Sequence, residues 1–202
     1  ILEQAFERAY EPFLEALERH PAIRATLHYS GILLDWLQAH QPRFLDRVRR
    51  LVARGQVELL ASGYYEPILP LIPEHDRQGQ IALMRQTLQR VFGPSPDGLW
   101  LTERVWEPEL PQTLARSGIR YTILDVNQFR PAAATLPAAA QLRDEQGWDV
   151  LGCYVTSYGR HPLILFPAST RLRYAIPFQE PSKTIDVLRR AQRPAPVMRA
   201  VL

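Results

Sequence analysis

The 202 residues are 46% hydrophobic and 22% charged, which suits one folded domain with a substantial core and excludes a disordered chain. Lys+Arg 24 exceed Asp+Glu 21 for a formal charge of only +3, with no basic block and no Arg-aromatic stripe, so neither nucleic acid nor a membrane surface is called for as partner. No apolar run approaches membrane-spanning length, and the single cysteine, Cys153, excludes an intramolecular disulfide and a Cys-cluster zinc site while fitting a reducing, cytoplasmic setting.

The chain opens Ile1-Leu2-Glu3 without methionine or signal peptide, which suggests a start further upstream. From Glu3 to Arg19, Ala5, Phe6, Ala9, Tyr10, Phe13, Leu14 and Leu17 recur at helical spacing, with Pro12 expected to kink or divide the helix. Ile23–Tyr29 alternates like a strand, Ser30-Gly31 turns, and Ile32–Ala39 reads as a short helix. A second helix opens at Pro42 and runs to about Ala53, with Phe44, Leu45, Val48, Leu51 and Val52 inward and Gly55 as its stop. Val57–Ala61 is the next strand, followed by the aromatic loop Ser62–Pro67 and a helix from about Glu74 to Phe92.

Behind the turn pair Asp97-Gly98, Leu99-Trp100-Leu101 reads as a buried strand, and Pro108 as the first residue of a helix that Gly118 ends. Tyr121–Leu124 is a further strand leading to Asp125. Arg130–Ala140, rich in proline and alanine, reads as a long loop or insertion. Leu163–Phe166 is a strand, Arg171–Phe178 extended or mixed, Ser182–Arg190 a helix capped by Ser182, and Val197–Leu202 a last strand. Strand–helix alternation with short connections predicts an α/β fold, a parallel sheet or barrel with right-handed crossovers.

Chemistry gathers at two strand ends. Where the Trp100 strand gives out sit Glu103, Arg104, Trp106 and Glu107, a set that fits an α/β active site and equally a loop closed by a surface salt bridge. Glu58 lies inside the apolar run Val57–Ala61, where an ionised acid is costly unless paired, so it points into an interior or a site, or else pairs with an arginine. Tyr64, Tyr65, Trp100 and Trp106 stand near the same ends. Acids among aromatic plates suggest carbohydrate, although such a cluster also serves as core. Retaining glycosidases need two carboxyl groups about 5–5.5 Å apart, one of them nucleophilic.

His20, His28, His40, His75 and His161 lack ligand-type spacing, so no metal site is read, and only His28 is placed at the active face. The absence of a Gly-rich phosphate loop and of a Gly-x-Ser-x-Gly elbow removes nucleotide-binding and serine-hydrolase readings. No cofactor is called for.

The segment Trp100-Leu101-Thr102-Glu103-Arg104-Val105-Trp106 resembles the nucleophile motif of glycoside hydrolase family 57, in its 4-α-glucanotransferase and α-amylase-like branch. Gly55-Gln56-Val57-Glu58-Leu59-Leu60 resembles that family's second motif, and Ser62–Pro67 with Arg171–Phe178 follow the same pattern. The resemblance implies an incomplete (β/α)7 barrel of parallel strands and surrounding helices, with residues 1–202 as its central part. It implies a retaining enzyme acting on α-1,4-glucans such as starch, glycogen or maltooligosaccharide, by hydrolysis or by transfer to a sugar hydroxyl. Glu103 takes the nucleophile's place, while Glu58, Glu66, Trp100 and Trp106 take those of substrate-contacting residues.

The family's histidine-rich first motif would precede Ile1, and its general acid, an aspartate, is expected after the Val197–Leu202 strand, so this stretch alone is expected to be inactive. His40-Gln41-Pro42 repeats letters of the first motif at a helix–helix junction by chance. Asp125-Val126-Asn127-Gln128-Phe129 stands where the family usually shows two adjacent aspartates and a histidine before the phenylalanine. Val126 and Gln128 keep a non-catalytic glucan-binding role open, and a polysaccharide deacetylase-like barrel, with metal-ligating His and Asp, is the competing enzyme reading. Oligomeric state is not legible.

Overall fold

Apolar spacing between Glu3 and Arg19 predicts one amphipathic helix, and the chain forms a helical run there that changes pitch just before Pro12. In the computed structural model, which describes residues 1–129, 153–191 and 198–200, α1 (Leu2–Ala5) passes through a π-helical turn, Phe6–Tyr10, into α2 (Glu11–Arg19). The Glu11 N–H donates to Phe6 O, five residues back, at the turn where Pro12 withholds a donor. The chain divides into two units, Ile1–Val105 and Trp106–Leu202.

In the first unit, β1 (Ala25–His28) and β2 (Val57–Leu60) pair in parallel, and Ala61 bridges Leu99 so that β3 (Gly98–Trp100) continues the order. Between β1 and β2 run α3 (Gly31–His40) and α4 (Pro42–Ala53), and between β2 and β3 runs α5 (Glu74–Phe92). Ser30, expected as part of a turn, is the N-cap of α3, its Oγ accepting from the Leu33 N–H at 3.3 Å. Gly55 just past α4 takes φ 71, which a side chain rarely tolerates. The core is made by Leu14 and Leu17 of α2, Leu34 and Leu37 of α3, Phe44, Leu45, Val48 and Leu51 of α4, and Ile81, Met84 and Leu88 of α5. Val57 and Leu59 of β2, Leu99 of β3 and Leu101 just after it are buried with them. Val52, expected inward, is only half-buried.

Gly31 opens α3 against the Tyr64 ring: a Cβ there would lie 2.3 Å from Cδ1 and 2.5 Å from Cε1 and Cγ. That ring is 5% exposed and its hydroxyl donates to Asp35 Oδ1 at 2.6 Å, so it cannot swing aside freely. Gly31→Ala is therefore expected to cost about 1–3 kcal/mol of unfolding free energy, read as a lower urea midpoint. An unchanged midpoint would show that the ring yields.

In the second unit, β4 (Tyr121–Asp125) pairs in parallel with β6 (His161–Ala168), which pairs antiparallel with β5 (Cys153–Tyr158), itself parallel to β7 (Met198–Ala200). The β5–β6 hairpin departs from the all-parallel expectation. Its signal is Gly159 at φ 58, in a two-residue turn between the paired Tyr158 and His161. The helix expected from Pro108 begins instead as α6 (Leu110–Arg116), with Pro111 in its first turn. Arg171–Phe178, expected extended or mixed, contains α7 (Thr170–Ala175), because the Ser169 Oγ accepts from the Leu172 N–H and caps it. The next helix, α8 (Pro181–Ala191), starts one residue before Ser182, with proline in the first helical position rather than serine as cap. The loop expected at Arg130–Ala140 lies outside the described residues. No described helix is long and apolar enough to cross a membrane.

Candidate active site

Side chains alternate faces along a strand, and paired residues of parallel strands share a face. The register Thr26 with Glu58 and His28 with Leu60 therefore puts all four on one face of the β1–β2 pair. The Ala61–Leu99 bridge puts Trp100 on that face too, and the Trp100 ring stands 6.3 Å from the His28 ring at 32°. Glu58, read from the sequence as pointing into an interior or a site or pairing with an arginine, is exposed on this face, as is its partner Thr26.

The segment after β3 presents Glu103 and Arg104 in consecutive left-handed conformations, φ 53 and φ 51, and Glu66 in the loop after β2 is left-handed as well, φ 54. Glycine is the residue that takes this region readily, and each departure costs of order 1–3 kcal/mol that the surroundings must sustain. These three are the only non-glycine positive φ values among the described residues, and all fall just past the carboxyl end of a strand. The turn is pinned by the Arg104 N–H donating to Leu101 O at 2.9 Å, with Leu101 itself fully buried. Glu103 is thereby turned out to solvent, and the Arg104 guanidinium lies 5.9 Å from the Trp100 ring centroid, within cation–π range.

Glu66 Oε1 stands 3.8 Å from His28 Nε2. Burial pushes the imidazole down to about 4, so at neutral pH this contact is not an ion pair. Burial first, and then the Glu103 carboxylate, push Glu66 above the usual carboxylate range. Three of the four expected substrate contacts, Glu58, Glu66 and Trp100, thus share the first unit with Glu103. Trp106, half-buried, opens the second unit. Tyr64 turns out to be packed rather than presented, whereas Tyr65 is 60% exposed and meets it edge-on at 5.0 Å.

In the second unit, Asp125 ends β4 and accepts from Asn127 N at 3.0 Å and Asn127 Nδ2 at 2.8 Å. Arg173 of α7 lies 3.5 Å from its other oxygen and covers the Tyr174 ring. Val126 is buried and Gln128 exposed, so the first of these unusual residues serves the core. The Asp125–Arg173 pair escaped sequence reading because α7 did. Among the described residues no three His, Cys, Asp or Glu side chains converge in a way that could hold a metal.

The family model for glycosyl hydrolase family 57 matches residues 1–202. The chain belongs to glycosyl hydrolase family 57. It is 42% identical over 188 residues to an alpha-amylase of Pyrococcus horikoshii, covering 93% of this chain and 28% of that protein. It is 41% identical, over 93% of this chain and 27% of the relative, to a 4-alpha-glucanotransferase of Thermococcus kodakarensis. The crystal structure of the 4-alpha-glucanotransferase from Thermococcus litoralis matches with a TM-score of 0.85 and 35% identity, over 99% of this chain and 30% of that one. The family-57 chain thus spans somewhat over a quarter of the length of these relatives and carries part of the family's (β/α)7 barrel, as its motifs imply.

Proposed function

We propose that this family-57 chain is the central, nucleophile-bearing part of a retaining enzyme acting on α-1,4-glucans, of α-amylase or 4-α-glucanotransferase type. The observation that carries the reading is Glu103, held left-handed at the end of β3 beside Trp100 and turned out to solvent. Its carboxylate attacks the anomeric carbon, the glycosidic C–O bond breaks, and a second carboxyl group protonates the leaving oxygen. Water or a sugar hydroxyl then displaces Glu103 from the glycosyl-enzyme, restoring the starting configuration. Glu58 and Glu66 bond sugar hydroxyls, while the rings of Trp100 and Trp106 take the apolar sugar faces. The single cysteine, Cys153, agrees with a cytoplasmic setting for this work.

A mechanism-based glycosyl label that traps the covalent intermediate checks the assignment in the protein that carries this chain. Peptide mapping is expected to find the label on Glu103. A label on another carboxylate would overturn it.

A further inference from the structure

His28 ends β1 on the same face as Trp100, yet the chemistry just described leaves it idle. Its Nε2 is buried and has no hydrogen-bond partner among the described residues. A polar atom in that condition is costly, and one that persists calls for an explanation. The acid facing it, Glu66 Oε1 at 3.8 Å, is about 0.6 Å beyond hydrogen-bond range. Glu66 in turn is carried by a backbone at φ 54, so its approach is imposed by the loop rather than chosen by the residue. A small closure of the Ser62–Pro67 loop would satisfy the nitrogen. Hydrogen bonds of this kind are often long in an empty site and tighten when substrate fills it.

Resting on the reading of the site above, we propose that His28 is a positioning residue for Glu66. When a glucan occupies the site, Nε2–H closes on the Glu66 carboxylate and holds it toward the sugar hydroxyls beside Glu103. A neutral donor suits the task, and burial keeps the imidazole uncharged. The ionisable groups that act on Glu66 are His28 from β1 and Glu103 from the segment after β3. Burial and Glu103 both push Glu66 toward its protonated form, and a donor from His28 opposes them.

His28→Phe keeps a ring against Trp100 and removes the donor, whereas His28→Gln restores an N–H near the Nε2 position. In the protein that carries this chain, His28→Phe is expected to raise KM for maltooligosaccharide about tenfold with kcat little changed. It should also move the acid limb of kcat, which titrates the glucan-bound enzyme, to higher pH while the plateau stays, because in the occupied site losing the donor raises Glu66 and its carboxylate is then lost earlier as pH falls. His28→Gln should recover most of both effects. An unchanged KM and pH profile in His28→Phe overturns the proposal, as does a folded His28→Gln impaired as much as the phenylalanine variant. Should His28→Phe fail to fold, Glu66→Gln tests the pair from the other side, and an unaltered KM there is equally fatal. Glu103→Gln run alongside separates the two claims: if it retains turnover, the reading of the site falls. If it is inactive while His28→Phe is silent, only the role of His28 falls.

Discussion

Glutamine in place of Glu103 is expected to cut glucan turnover by about 10³-fold or more while changing the affinity for maltooligosaccharide by less than about threefold. The substitution keeps the shape of the side chain and replaces the anionic oxygen that attacks carbon by a neutral, weakly nucleophilic amide, so it withdraws an interaction made in the transition state and not one made on binding. Stability should hardly change, since Glu103 is exposed and its neighbours pin the backbone rather than the carboxylate. Glu103→Ala adds a sharper readout. It opens space for azide, which can attack in the carboxylate's stead with a single inversion, giving a glycosyl azide of opposite configuration. Turnover of Glu103→Gln within tenfold of the parent, or no azide product from the alanine variant in an otherwise active fold, would remove Glu103 from the nucleophile's position.

Much of the scaffold was legible because its punctuation is covalent. Pro42 and Gly55 bound α4, Gly93 ends α5, and both helices lie where their spacing puts them. The α7 helix was missed because its start rests on one hydroxyl, Ser169, and its apolar positions are few. For the site, the sequence placed acids and rings at the ends of β2 and β3, but alternation alone does not say which strand face is covered, so Glu58 was left between an interior, a site and an arginine pair. The left-handed turns at Glu66, Glu103 and Arg104 left no trace at all. None of the three is glycine or asparagine, and their conformations are imposed by what surrounds them. His28 could be put on the active face by its strand, while its orphaned nitrogen is a property of packing.

A second large effect is expected two residues before Glu58, and on stability rather than chemistry. Gln56 is 4% exposed, and its Nε2 donates to the carbonyls of Leu17 at 2.7 Å, His20 at 3.1 Å and Ile23 at 3.0 Å. Two amide hydrogens thus serve three acceptors, fastening the end of α2 and the approach to β1 onto the start of β2. Arg54 Nε donates to its Oε1 at 2.8 Å, and Gln56 O accepts from the Ala25 N–H at 3.0 Å. Leu17 O and His20 O also accept from the His20 and Ile23 N–H groups, so leucine there would take this donor from Ile23 O and one of two from the others, and Gln56→Leu is expected to lower the unfolding free energy by about 1–3 kcal/mol. That is a large share of what a domain has to lose. Gln56→Glu keeps the shape but turns a carboxylate toward three carbonyl oxygens, which raises its folded-state pKa above the unfolded value of about 4.3. The folded chain then binds more protons than the unfolded one between those two values, so the variant's deficit at pH 7 should shrink as the solution is acidified through that window. Urea melts at pH 7 and pH 5 read both signs. A midpoint for Gln56→Leu within about 0.5 kcal/mol of the parent would show that the carbonyls find other donors. A large loss with unchanged turnover per folded molecule assigns Gln56 to the scaffold, and leaves the chemistry of this motif to Glu58.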